Sequence, residues 1–180
     1  MNEKRYPAPE LSVSQWFNTE QAISLQQLRG KVVVIHAFQM LCPGCVAHGI
    51  PQTQKIHDYF SKEDVAVIGL HTVFEHHEAM TPTSLEAFIY EYRIKFPVGV
   101  DTAGENSPTP VTMTRYQMRG TPTLILIDRE GMLRANYFGR PEDLQVGAEI
   151  AALVNVSHRS SLSGEKKEHD SGCADEGCAV

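Results

Sequence analysis

The sequence lacks the features that would point to a membrane or to nucleic acid. No apolar run is long enough to span a bilayer, and the first ten residues lack the apolar core of a signal peptide. Lysine and arginine together number 16 against 22 aspartates and glutamates, which gives a net charge of −6. An acidic balance disfavours nucleic acid and anionic lipid as partners. From these absences we expect a cytoplasmic protein with no nucleic-acid or membrane partner.

Cysteine is also scarce, and its distribution is informative. The four cysteines form two close pairs, Cys42/Cys45 and Cys173/Cys178. In the cytoplasm a persistent structural disulfide is disfavoured, so a Cys-x-x-Cys spacing indicates redox or metal chemistry. The two pairs of short spacing could together form a tetrahedral zinc site. The first pair follows an apolar run and encloses Pro-Gly, however, which favours a redox turn over a zinc knuckle.

The first cysteine pair stands where a predicted strand gives way to a predicted helix. Residues Val32–Phe38 are almost all apolar, as in a strand buried on both faces of a sheet, and residues 43–60 are predicted to be helical. The free N–H groups and the dipole at a helix N-terminus favour a thiolate, and Pro43 suits the first helical position. We therefore predict that Cys42 is a reactive nucleophile and that Cys45 resolves the intermediates it forms.

The remaining elements follow from hydrophobic periodicity and turn residues. We predict a proline kink at Pro51 within the first helix and a short turn of helix over residues 23–28 that is stopped by Gly30. From residue 157 onwards the chain is polar and almost free of apolar residues. This predicts a domain over residues 1–156 and a flexible polar tail over residues 157–180. Further strands are predicted at 11–17, 65–70, 98–100, 124–128 and 132–138, and further helices at 81–92, 111–118 and 142–154.

Several short motifs carry a family resemblance. The segments 8–11 (Ala-Pro-Glu-Leu), 28–33 (Leu-Arg-Gly-Lys-Val-Val), 120–123 (Gly-Thr-Pro-Thr) and 128–131 (Asp-Arg-Glu-Gly), together with the Cys-x-x-Cys, resemble the redoxin branch of the thioredoxin superfamily. This branch holds the thiol reductases of cytochrome c maturation and the peroxiredoxins. The resemblance covers residues 8–154 and implies an α/β thioredoxin-like fold, with a central mixed sheet flanked by helices on both faces.

The resemblance also implies roles for individual residues. Cys42 matches the attacking cysteine of the family and Cys45 the cysteine that resolves the mixed disulfide. Pro122 matches the family's cis-proline, which would place Thr121 beside the thiols with its backbone ready to pair with an extended substrate. A cis X-Pro bond is uncommon and usually serves a local geometric need.

Four positions depart from the family pattern. Leu41 replaces the tryptophan that many relatives carry, and His36 stands where thioredoxins have a buried carboxylate. Pro51 lies nine residues after Cys42, one later than in most cytochrome-maturation relatives. Gln39 replaces the Thr or Ser of peroxiredoxins, whose hydroxyl helps to bind peroxide, so it weakens a peroxidase interpretation.

Histidines near the motif invite two hypotheses. His36 lies on the strand that leads to the cysteines and titrates near neutrality, so it is a candidate proton acceptor for Cys45. The alternative is a core histidine bound to a backbone carbonyl. His71, His76 and His77, near Glu75, resemble a metal cluster but are expected to be exposed in a polar connection, and no metal site is predicted.

The second cysteine pair lies in the predicted tail. Two carboxylates stand between Cys173 and Cys178, and neighbouring negative charge disfavours a thiolate. The pair would attack poorly but could act as a substrate or relay for Cys42. A soft-metal clasp with His169 and an inert tail remain as alternatives.

Three functions follow, in order of preference. The first is a thiol–disulfide oxidoreductase that uses the Cys42-Pro-Gly-Cys45 dithiol to exchange with protein or small-molecule disulfides. It would take electrons from a dithiol donor and need no cofactor. The second is a peroxiredoxin-like peroxidase, an antioxidant activity in which Cys42 reduces hydroperoxides. The third is a copper or zinc carrier, which the lack of a histidine partner at the motif disfavours.

Overall fold

The structure is a computed structural model that describes residues 6–162 of the 180 in the chain. Six strands and four helices alternate along it. The strands are β1 Val13–Phe17, β2 Val32–Phe38, β3 Val65–His71, β4 Val98–Asp101, β5 Thr123–Ile127 and β6 Leu133–Phe138. The helices are α1 Ile50–Tyr59, which follows a π-helical turn at Cys45–Gly49, α2 Pro82–Glu91, α3 Val111–Arg115 and α4 Asp143–Leu162.

The strands form one mixed sheet in the order β1-β4-β3-β2-β5-β6. Strands β2, β3 and β4 are parallel, whereas β1, β5 and β6 pair antiparallel to their neighbours. The edge strand β1 and the hairpin β5–β6 match the prediction from alternating and turn residues. Among the described residues, no helix combines the length and the apolar composition that a membrane span needs.

Apolar side chains cover both faces of the central strand β2. Val32, Val34 and Phe38 join a cluster that also contains side chains of α1, α2 and α4. Val33, Ile35 and Ala37 point to the opposite face, where a second cluster includes Met113 of α3. A strand enclosed by helices on both sides is buried on both faces, which explains why every residue of β2 except His36 is apolar. The predicted α/β class with helices on both faces is confirmed.

The first helix differs from its prediction at the point where a kink was expected. Helical backbone begins at Pro43, but the Ile50 N–H donates to the Cys45 carbonyl, five residues back, and closes a wide π-helical turn. Pro51 follows directly, in the first turn of α1. A proline has no N–H and crowds the carbonyl four residues before it, so a widened turn accommodates it better than regular α-helix.

Two other boundaries were wrong. Residues 25–30 form turns rather than a turn of helix, and Gly30 ends them with a φ of +89°. Helix α4 runs to Leu162 instead of ending near 154, so residues 157–162 of the predicted tail are helical. Each residue added to an existing helix forms one further backbone hydrogen bond without the cost of starting a new helix, so a polar segment can continue it. Polar composition alone therefore did not locate the end of α4. The rest of the predicted tail, residues 163–180, lies outside the described residues.

Candidate active site

The turn between β2 and the first helix presents the two cysteines. The Cys42 N–H donates to the Gln39 carbonyl at 3.2 Å, and the Val46 N–H donates to the Cys42 carbonyl at 3.1 Å. These two bonds turn the chain sharply out of the buried strand and into helical backbone. Leu41 is 58% exposed beside Cys42, so an apolar side chain borders the attacking position.

Cys42 is the accessible thiol of the pair. Its side chain is half-buried, and its Sγ accepts a hydrogen bond from the Cys45 N–H at 3.3 Å. The same sulfur lies 3.5 Å from the Thr121 carbonyl oxygen, to which the thiol donates. A backbone N–H at the start of a helix is the kind of donor that stabilises a sulfur anion.

Cys45 has the opposite environment. It is fully buried, and burial raises the pKa of its thiol to about 12, with a further contribution from its hydrogen bond to Cys42. A thiol that holds its proton so tightly does not attack a substrate by itself. One cysteine of the pair is thus half-buried and accessible and the other is fully buried, as the predicted roles of nucleophile and resolving partner require.

The loop before β5 lies against the dithiol. The Thr121–Pro122 peptide bond is cis, as the family resemblance implied. The Thr123 hydroxyl donates to the Gly120 carbonyl at 2.7 Å, and the Gly139 N–H donates to the Pro122 carbonyl at 2.8 Å. These bonds hold the loop from both sides, so that the Thr121 carbonyl reaches Cys42.

Pro122 contacts the first helix at two glycines. A Cβ on Gly44 would lie 3.3 Å from the Pro122 Cδ, and a Cβ on Gly49 would lie 3.3 Å from the Pro122 Cβ. Both separations are tighter than usual for side chains. Glycine at these positions therefore lets the cis-proline loop approach the dithiol closely.

His36 lies under this assembly and is fully buried. Neither of its ring nitrogens has a hydrogen-bond partner among the described residues, and its ring stacks on Phe38 at 5.8 Å between centroids. Burial lowers its pKa to about 3, so the imidazole is neutral near pH 7 and is a weak base. The structure places His36 near the motif but gives it no hydrogen bond to either thiol, and the alternative of a bond to a backbone carbonyl is also not found.

The other histidines divide into two groups. His71 was predicted to be exposed, and this was wrong: it is the last residue of β3, fully buried, and burial lowers its pKa to about 4. Strand β3 extends to His71, one residue beyond the predicted bound, and His71 is buried there because it pairs with Phe38 of β2. His76 and His77 are exposed as predicted. Within residues 6–162 no group of three or more His, Cys, Asp or Glu side chains is arranged to hold a metal ion.

Cys173, Cys178 and His169 lie outside the described residues, but helix α4 bears on the predicted relay. The helix begins shortly after Gly139, which binds the cis-proline loop, and reaches Val154, whose carbonyl accepts from Arg129 in the turn between β5 and β6. It therefore runs away from the dithiol, over about 30 Å for its 20 residues at 1.5 Å per residue. Eleven residues from 163 to Cys173 span at most about 40 Å when fully extended. A disulfide between Cys42 and Cys173 of the same chain would therefore need most of that span of about 40 Å.

Comparison with known proteins identifies the family. A model of the AhpC/TSA family matches residues 5–136. The chain belongs to the AhpC/TSA family. The predicted redoxin branch of the thioredoxin superfamily is thereby confirmed.

Solved structures agree with this assignment of an AhpC/TSA protein. A crystal structure of a thioredoxin-like superfamily protein has a TM-score of 0.81 and 63% identity, covering 82% of this chain and 96% of that one. The thiol-disulfide isomerase from Corynebacterium glutamicum has a TM-score of 0.79 and 51% identity, with the same coverage of 82% and 96%. The fold and the relationship to thiol–disulfide oxidoreductases are therefore shown.

Curated relatives of this AhpC/TSA protein are longer. Protein DipZ of Mycobacterium bovis is 31% identical over 151 residues, which are 82% of this chain and 21% of DipZ. NHL repeat-containing protein 2 of Gallus gallus is 30% identical over 140 residues, 76% of this chain and 18% of that protein. The thiol-disulfide oxidoreductase ResA of Bacillus thuringiensis is 27% identical over 109 residues, 61% of this chain and 56% of ResA. The chain thus spans about a fifth of the length of the first two relatives.

Two residues of the site escaped sequence reasoning. Gln39 was considered only for the hydroxyl it lacks, yet its buried side chain accepts from the Phe74 N–H at 3.2 Å and donates to a Glu75 carboxylate oxygen at 3.3 Å. Gly49 was not considered at all. The available signals were a polar residue at the end of an apolar strand and a glycine inside a helix, which usually marks a close approach.

Proposed function

We propose that this AhpC/TSA protein is a thiol–disulfide oxidoreductase whose Cys42–Cys45 dithiol exchanges with the disulfides of proteins or small molecules. The observation that carries the proposal is the difference in environment between the two cysteines. Cys42 is accessible and receives the Cys45 N–H at 3.3 Å, whereas Cys45 is fully buried and its pKa is raised to about 12. Similarity to thiol-disulfide oxidoreductases and isomerases supports the same chemistry.

The reaction proceeds in two exchange steps. The Cys42 thiolate attacks one sulfur of a substrate disulfide, a Cys42–substrate disulfide forms, and the other substrate sulfur leaves as a thiolate. Cys45 then gives up its proton and attacks the Cys42 Sγ, which releases the second substrate sulfur as a thiolate that takes up a proton. The substrate gains two electrons and the Cys42–Cys45 pair becomes a disulfide, which an external dithiol reduces again.

The Thr121 backbone lies where a substrate chain would pass. Its carbonyl is 3.5 Å from the Cys42 Sγ, on a loop held by Thr123 and Gly139. An extended peptide that contains a cystine could pair with this backbone while its sulfur approaches Cys42. Exposed Leu41 would contact the same substrate on the other side of the cysteine.

A thiol peroxidase is the second candidate, and the AhpC/TSA family match favours it. Against it, the Gln39 side chain is bound to Phe74 and Glu75 and does not replace the missing hydroxyl. The metal-carrier hypothesis uses both cysteine pairs, and Cys173 and Cys178 lie outside the described residues, so it stays a prediction. A cytoplasmic location likewise stays a prediction, which cell fractionation would test.

The decisive experiment compares two serine variants with the wild type. We expect Cys42→Ser to lose disulfide reductase activity on insulin, by about a thousandfold or more, because the attacking sulfur is gone. Cys45→Ser should instead accumulate the mixed disulfide on Cys42. The same proteins are mixed with hydrogen peroxide, and metal content is measured alongside. Rapid oxidation by peroxide with no insulin reduction would overturn the proposal in favour of a peroxidase.

The Cys45→Ser variant also tests the tail. If Cys173 or Cys178 acts as a relay, mass spectrometry of the trapped protein should find either cysteine linked to Cys42 of the same chain. Adducts only between separate chains would remove the relay within one molecule, which the direction of α4 makes long.

A further inference from the structure

An unpartnered histidine lies under Gly49, in the turn that carries Cys45. His36 is 1% exposed, and both of its ring nitrogens lack a hydrogen-bond partner among the described residues. Buried polar atoms almost always have a partner, and leaving one unpaired is destabilising. An apolar side chain would avoid that cost, so the imidazole needs another explanation.

The contact between His36 and Gly49 is unusually close. A Cβ built on Gly49 would lie 2.3 Å from the His36 Nε2 and 2.7 Å from its Cε1. Real side chains do not approach so closely, so only glycine fits above this ring. His36, Gly49 and Pro122 therefore form one tightly packed group.

Gly49 is also the last residue of the π-helical turn that begins with Cys45. The turn is one residue wider than an α-helical turn, as shown by the Ile50 N–H that reaches the Cys45 carbonyl. Its first residue supplies the N–H that donates to the Cys42 Sγ at 3.3 Å. The shape of this turn thus connects the ring under Gly49 to the donor that faces the attacking sulfur.

We propose that His36 is a positioning residue for the dithiol: its ring supports Gly49 and thereby holds the wide turn in the shape that aims the Cys45 N–H at the Cys42 sulfur. This rests on the proposed function, in which Cys42 attacks. It replaces the expectation that His36 accepts the Cys45 proton. The low basicity of the buried ring agrees with a role that involves no proton transfer, since burial holds its pKa far below 6.5.

A double-mutant cycle tests the proposal. The variants are His36→Ala, Gly49→Ala and the two together, with Gly147→Ala as a control because a Cβ there meets nothing within 4 Å. The readouts are the rate at which iodoacetamide alkylates Cys42 at pH 7, mapped by mass spectrometry, and the midpoint of thermal unfolding.

We expect each single variant to slow alkylation of Cys42 about tenfold, since a displaced N–H donor to a charged group is worth that much. In the double variant the methyl group added by Gly49→Ala occupies space that the ring has left, so the rate should return to within about threefold of the wild type. The Gly147→Ala control should alkylate like the wild type.

Two results would overturn the proposal. Rate effects that simply add in the double variant would show that the residues act independently. Lower unfolding midpoints with unchanged alkylation rates would show a role in stability only. If Gly49→Ala does not fold, His36→Ala and the double variant still decide, because the proposal requires the double variant to be the faster of the two. Failure of the proposed function is distinct, because it would appear as a wild type that does not reduce insulin, whatever the alkylation rates of the variants.

Discussion

The dithiol turn is held by two regions that work by different means. Under it, His36, Gly49 and Pro122 meet by shape, and the ring of His36 makes no hydrogen bond among the described residues. Beside it, the buried Gln39 side chain joins the turn to the loop after β3 through hydrogen bonds to Phe74 and Glu75. The stability of the first region should depend on side-chain volume and on the charge of His36. The stability of the second should depend on the hydrogen-bond donor and acceptor of Gln39.

The largest expected effect is the response of the buried histidines to acid. Burial lowers the pKa of His36 to about 3 and that of His71 to about 4, so the folded protein binds fewer protons than the unfolded chain. The stability they contribute is present above pH 6.5 and is lost as the pH falls towards those values. Each histidine should add a slope of about 1.4 kcal/mol per pH unit to the free energy of unfolding. Urea denaturation between pH 7 and pH 4.5 measures it.

His36→Leu and His71→Leu should each remove one such slope, and His77→Leu, at an exposed position, is the control for the substitution itself. Comparing variants with the wild type cancels the contribution of the carboxylates. Equal slopes in all four proteins would show that water reaches His36 and His71, contrary to their burial in the structure.

A smaller effect is expected beside the turn. Gln39→Leu keeps the volume but leaves the Phe74 N–H without its acceptor, so the free energy of unfolding should fall by about 1–2 kcal/mol. Unlike the histidine variants, Gln39→Leu should lower the free energy of unfolding by the same amount at pH 7 and at pH 5. Urea denaturation at both pH values provides the measurement, and a loss that grows on acidification would contradict the separation of the two regions.

The smallest effect is expected at Glu75, which meets Gln39 at the surface. Glu75→Gln keeps an acceptor oxygen at an exposed position, so the free energy of unfolding should change by about 0.5 kcal/mol or less. The same denaturation series checks this. A loss as large as that of Gln39→Leu would mean that the carboxylate, rather than the backbone N–H, is the important partner of Gln39.

Prediction from the sequence was strongest where one local property decides the outcome. The continuous apolar run over Val32–Phe38 fixed a buried strand with its observed bounds. Thr81 is the N-cap of α2, at the start of the helix predicted over 81–92, and its hydroxyl accepts from the Ser84 N–H at 3.3 Å. Both depend on neighbours within a few residues along the chain.

Prediction failed where distant segments decide. His71 was assigned to an exposed loop because polar residues follow it, but pairing with β2 buries it. The end of α4, eight residues beyond the predicted one, is a local failure instead, since an existing helix can extend into polar sequence. The kink at Pro51 was expected from the proline alone, whereas the observed wide turn also involves Gly49 and the ring below it.

By itself the sequence determined the family, the mixed α/β fold and the cysteine pair at a strand-to-helix junction, because these follow from periodicity, turn residues and short motifs. Only the tertiary structure decided how the two thiols differ. Burial of Cys45, the Thr121 carbonyl near Cys42 and the contact of His36 with Gly49 arise where β2, the first helix and the loop before β5 meet. Those segments lie up to about 80 residues apart in the chain, and the environment of a thiol depends on what surrounds it in space.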